Sequence, residues 1–257
     1  MTALAMLVVI SLGSAPARGQ GAPADGKKAA PDKRATPKQP APRAKDGHVD
    51  LSGVYWAPGS RGESPANGGF SINIAQDMKP ADVPFQPWAK KLYDERVSSK
   101  GKDDPEGYCL PSGVPRTNPY PYKIVQTPTL VLIMYEGNIH SYRQVFLDKK
   151  THSDDLDPSW FGESIGHWEG DTLVVDTTGM NDRTWLDGNG HPHSDALHVI
   201  ERYSRPEMGR LVIDITIDDP KAYTKPWTVH ESSALAVDSE LHEYVCTESK
   251  RDPGHNK

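Results

Sequence analysis

The feature that most limits how this chain can fold is a run of short, β-prone segments separated by turn chemistry. From Lys123 onward they follow one another closely: KIVQTPTLVLIMYE (123–136), HSYRQVFLD (140–148), SIGHW (164–168), TLVVDTTG (172–179), ALHVIERYSR (196–205), RLVIDITIDD (210–219), WTVHESSALA (227–236) and ELHEYVCTE (240–248). Gly137, Gly170, Gly209 and Asp238 sit in connections too short for anything but tight turns, which makes the strands they join antiparallel neighbours. In HWEGD the pattern is a hairpin, with Gly170 supplying a positive φ. About eight meandering strands of this length gain most by closing into a barrel, because closure leaves no unpaired edge. An open, strongly curved sheet is the alternative.

Alternation within the strands supports this. Leu211, Ile213, Ile215 and Ile217 share one face, with Val212, Asp214, Thr216 and Asp218 on the other. Leu197, Val199, Glu201 and Tyr203 likewise share a face, so Glu201 points inward with apolar neighbours and needs a partner such as Arg143, Arg183 or Arg202. Upstream, DLSGVYW (50–56) and FSINI (70–74) read as strands. The one helix expected is Gln86–Ser99, with Pro87 at its start and Trp88, Leu92 and Arg96 on one face.

The ends of the chain have a different composition. Leu4–Gly13 is an apolar run too short to span a bilayer of roughly 30 Å, followed by small residues, which reads as a secretory signal over 1–19. Residues 20–48 are rich in Pro, Ala and Lys and bury too little to order a backbone, so they read as a tether. This leaves one domain at 49–251 and a tail at 252–257, in a secreted or periplasmic protein with no transmembrane span in its mature form. The net charge of −6, with the basic excess in the tether, excludes nucleic acid as an expected partner. In an oxidising compartment Cys109 and Cys246 form either one disulfide, tying an early loop to the last strand, or two buried thiols.

The stretch SIGHWEGDTLVVDTTGMNDRTWLDGNGHPHSDALHVIERYSRP (164–206), with CLPSGVPR, HSYRQVF, IDDPKAYTKPWTV and EYVCTE, resembles a large family of exported bacterial proteins that share this signature. The likeness runs from about Asp50 to Glu248 and assigns no activity, cofactor or substrate. The strand order is similar to that of the calycin class, the lipocalin and fatty-acid-binding-protein barrels, and fold alone does not settle function.

Chemistry concentrates between Asn181 and Tyr203. His191 and His193, one residue apart, face the same side of an extended chain about 6 to 7 Å apart, a spacing that lets two imidazoles hold a divalent metal. The pair is similar to the first metal motif of cupins but lacks its glutamate register and its downstream partner motif. NDRTWLDG (181–188) adds a planar donor fork at Arg183, a stacking face at Trp185 and acceptors at Asp182 and Asp187. With His140 and Tyr142, these make Arg183, Trp185 and Asp187 candidate ligand contacts. Two functions compete. One is an exported barrel binding a small molecule at a polar mouth formed by 181–203. The other is a hydrolase or lyase, acting on a sugar-like or polyhydroxylated substrate through His193, His198, Glu201 and Asp182.

Overall fold

The computed structural model describes residues 38–56, 74–75, 78–116, 120–137 and 141–246. The expected signal segment, most of the FSINI run and His140 lie outside them. Nine strands are described: β1 (Gly53–Trp56), β2 (Tyr122–Gln126), β3 (Leu130–Tyr135), β4 (Tyr142–Phe146), β5 (Glu163–Glu169), β6 (Thr172–Thr178), β7 (His198–Glu207), β8 (Arg210–Asp218) and β9 (Trp227–Leu235). Each pairs with the next in chain order, and β9 returns to β1 to close a barrel. A helix, α1 (Pro87–Ser98), lies in the long connection between β1 and β2.

Three details depart from the expected meander. β4 and β5 are parallel, with Val145 opposite Ser164, and the long connection through 147–162 carries the chain back across the barrel. The 123–136 run is two strands, not one, because Pro128 cannot donate to a ladder. The Thr127 hydroxyl turns the chain there by accepting from the Leu130 amide at 3.0 Å. The 240–248 run forms no strand among its described residues. Its segment is fastened instead by Lys123–Glu240, by a bond from the His242 amide to Glu136, and by the Cys109–Cys246 disulfide.

Parity fixes the interior. Leu211, Ile213, Ile215 and Ile217 are all buried, as are Val199, Glu201 and Tyr203 on β7 and Trp227 and Val229 on β9. Each large aliphatic side chain so placed contributes about 1.5–3 kcal/mol. The apolar part of the interior, among Leu51, Ile124, Val145, Leu173 and Tyr203, has no room for a single water molecule. Between these apolar layers sits Arg143, whose Nε bonds Ser164 at 2.9 Å and whose Nη2 bonds Thr177 at 2.6 Å and Glu201 at 2.5 Å. Tyr203 donates to the other Glu201 oxygen at 2.8 Å.

The registers sort the connections to two ends. The turns after β2, β5 and β7 lie at one end, where the chain before β1 packs: His48 stacks on Trp168 at 4.6 Å and Arg43 pairs with Asp171. Gly170 there has φ of +61°, as the hairpin requires. The connections after β1, β3, β6 and β8 gather at the opposite end, here called the mouth. Segment 84–86 runs beside the β8–β9 connection through a Phe85–Tyr223 bridge, which sets α1 across the opening. Trp88 is not on the helix's inward face; it is 44% exposed, and its indole donates to the Lys221 carbonyl at 2.6 Å. Ala89 is the residue of α1 that is fully buried, and Tyr93 and Arg96 follow it one and two turns on, on the same side.

Candidate functional site

The 181–197 loop closes the mouth and is held by the β8–β9 connection and by its own side chains. Asp219 accepts from the Ser194 amide at 2.6 Å and from its hydroxyl at 2.8 Å, and Tyr223 donates to the Pro192 carbonyl at 2.8 Å. His193 is locked on both ring nitrogens. Because the Ser194 carbonyl can only accept, Nδ1 carries the proton it receives at 3.0 Å, and Nε2 accepts from the Thr184 hydroxyl at 2.7 Å. Burial lowers the pKa of this imidazole, in keeping with a neutral ring.

His191 is held differently. The Asp187 carboxylate accepts from its Nδ1 at 2.7 Å and from the amides of Ile74 at 2.9 Å, Asn189 at 3.0 Å and His191 itself at 3.1 Å. Burial works to raise the Asp187 pKa, but His191 and these amides outweigh it and hold the value below the ordinary range. An ionised carboxylate with four donors fixes the ring so that Nδ1–H points at Asp187. Nε2 has no hydrogen-bond partner among the described residues.

Around that nitrogen are aromatic rings. Phe85 lies nearly parallel to the imidazole at 5.6 Å, Tyr93 is at 4.5 Å and Trp227 at 6.0 Å. Tyr223 closes on Trp227 at 5.2 Å. The Trp227 indole N–H is buried without an acceptor, in a residue only 4% exposed. The result is an aromatic cluster packed around one oriented imidazole, built where α1, the 181–197 loop and the start of β9 meet.

Several sequence-level expectations need correction against this geometry. His191 and His193 do not converge on a metal. Their segment is not a strand, so the alternation that would align them does not apply, and each ring turns to its own partner. Among the described residues no three His, Cys, Asp or Glu side chains are set to hold a metal ion. The four residues considered for catalysis are not brought together. His193 is locked in the loop, and Asp182 is exposed. His198 faces outward from β7 to Asp176 at 2.8 Å, and Glu201 faces inward to Arg143.

Of the ligand candidates, Arg183 is exposed, with no partner for its guanidinium among the described residues, and Tyr142 is 59% exposed on the outer face of β4. Trp185 offers no open stacking face. It is buried, and the Arg96 guanidinium covers its ring at 4.4 Å. Asp187 is fully engaged as the anchor of His191. Phe85, Tyr93 and Trp227 as ring neighbours of His191, and Arg96 at the preceding residue Gly190, were not expected from the sequence. The usable signal was the four-residue interval between Asp187 and His191 inside one loop, together with Tyr93 and Arg96 three residues apart on a helix.

Comparison with family models, with curated proteins and with solved structures finds no match to this chain. No helix among the described residues is long and apolar enough to cross a membrane.

Proposed function

We propose that the protein is an exported small-molecule-binding barrel that holds its ligand at the mouth, in a recess among the aromatic side chains around His191, and not within the barrel. The observation that carries this reading is the Asp187–His191 pair. Its carboxylate is saturated and its second imidazole nitrogen is left without a partner among the described residues, with the Trp227 ring 6.0 Å from the imidazole. Few polar anchors among apolar walls is what a small-molecule site requires. The filled interior supports the mouth as the place of binding.

The test is retention of a small molecule from bacterial culture extract, read by native mass spectrometry. The expected result is a retained mass that is lost in His191→Gln and Trp227→Phe and kept in His198→Gln, whose side chain lies on the outer wall. Retention unchanged by the two mouth substitutions would place the ligand elsewhere.

The same pair supports a second reading as an enzyme. An imidazole oriented by a carboxylate is the arrangement of a general base, here facing any hydroxyl or water in the recess. Conversion of the retained molecule over time, abolished in His191→Gln while binding persists, separates turnover from storage.

A further inference from the structure

Among the described residues three buried arginines are compensated, and a fourth, Arg96, which is partly buried, is not. Arg116 forms two 2.8 Å bonds to Asp104 and one of 2.7 Å to Glu106. Arg143 has Glu201, Ser164 and Thr177. Arg205 has the carbonyls of Asp50, Ser52 and Met208. Arg96 has one carbonyl, that of Gly190 at 3.1 Å, and the face of Trp185. It makes no ion pair among the described residues.

The carboxylates near Arg96 are already committed. Asp104 is bound in both oxygens by Arg116, and Asp187 by its four donors. Burial accordingly pulls the guanidinium down to about 10, with Asp104 and Asp187 restoring only part of its ordinary value. A desolvated cation without a counter-ion is costly, and an anion that meets it in a partly dry site is held more strongly than in water.

Its position ties this cation to the recess. Arg96 follows Tyr93 on α1, and the helix presses against the loop at Gly190, the residue before His191. A Cβ there would stand 2.7 Å from that of Arg96, and φ at Gly190 is +94°, so only glycine fits.

We propose that the ligand of the His191 recess carries a carboxylate or another small anionic group, and that Arg96 is the residue that binds it. This rests on the reading of the mouth as a binding site and specifies the chemical class of what enters. The aromatic walls and His191 take the uncharged part of the ligand.

The experiment uses sulfate as the probe, with sodium chloride at matched ionic strength, and follows Tm in the native protein, Arg96→Gln and Arg183→Gln. Sulfate at ten times its dissociation constant is expected to raise Tm by roughly 3–5 °C over chloride in the native protein and in Arg183→Gln, and by nothing in Arg96→Gln. An equal sulfate effect in Arg96→Gln, or none in the native protein, overturns the assignment. Should Arg96→Gln fail to fold, the Arg96 Nε–H resonance of the native protein decides. It shifts on sulfate addition if Arg96 binds the anion and stays in place if it does not. The outcomes also separate this proposal from the reading beneath it. A retained molecule with no anionic group removes the role of Arg96 and leaves the recess standing. A sulfate effect that depends on Arg96, with no retained molecule, supports the anion site and counts against the recess reading.

Discussion

Two of the buried polar pairs, Arg143–Glu201 and Asp187–His191, differ in how completely they are satisfied. Inside the wall, Arg143 and Glu201 close on each other, and Ser164, Thr177 and Tyr203 take up further bonding positions of both partners. At the mouth, Asp187 is saturated but the His191 ring is bound on one nitrogen only among the described residues. The first arrangement has nothing left to offer a ligand. The second spends a complete carboxylate on orienting one atom. A buried pair sealed on both sides organises a core; one sealed on a single side positions a group for use.

Substitutions can break or sharpen that contrast. The largest effect is expected at the inner pair. Glu201→Leu strands the Arg143 guanidinium and should cost about 3–5 kcal/mol, read by chemical denaturation. Arg143→Met together with Glu201→Leu should recover most of the loss, because an apolar pair replaces a paired charge. If the double variant instead folds well and loses a ligand that the native protein retains, the inner pair belongs to the site and the contrast fails.

Asp187→Asn comes next. It replaces an acceptor of four N–H donors by a single carbonyl oxygen and an amide that cannot accept, at about 1–3 kcal/mol, and it should abolish retention of the ligand by freeing the imidazole. His191→Gln is expected to cost less, about 1–2 kcal/mol, since the amide can still donate to Asp187, yet to abolish retention equally. A large stability loss with unchanged retention in His191→Gln would make the mouth pair a second structural pair.

The smallest effect concerns the outer wall, where the largely covered Glu163 carboxylate meets Lys149, His152 and Ser153. Burial would raise the Glu163 pKa, but bonds from Lys149, from the Ser153 amide and hydroxyl, and from His152 bring it from an ordinary 4.5 down to about 2. A carboxylate depressed in the folded state stabilises above its unfolded value, and that contribution fades as pH falls from about 4.5 to about 2. Stability followed by denaturation across this window should fall less steeply in Glu163→Gln, with ligand retention at neutral pH unchanged.

Much of the wall was legible in the sequence because strand parity has a period of two that survives any tertiary context. Ile213, Ile215 and Ile217 point inward as expected, His198 points outward, and Glu201 finds Arg143, one of three arginines that could reach it. What parity could not show was a break inside an apolar run at Pro128, or a parallel pair reached through a long connection. The recess was harder. His191 and His193 read as a metal pair only if the chain there is extended, and the loop instead bends each ring to a different partner. The aromatic neighbours of His191 come from positions 85 to 227 and share no local pattern, since they meet only after the barrel has closed.

Binding at the mouth turns on the state of one imidazole. Histidine labelled with 15N allows the Nδ1 and Nε2 resonances of His191 to be followed while the retained molecule is titrated in. The account predicts a protonated Nδ1 that stays bonded to Asp187, and an Nε2 resonance that moves with ligand while those of His198 do not. A ligand that binds and leaves His191 Nε2 unmoved would contradict it.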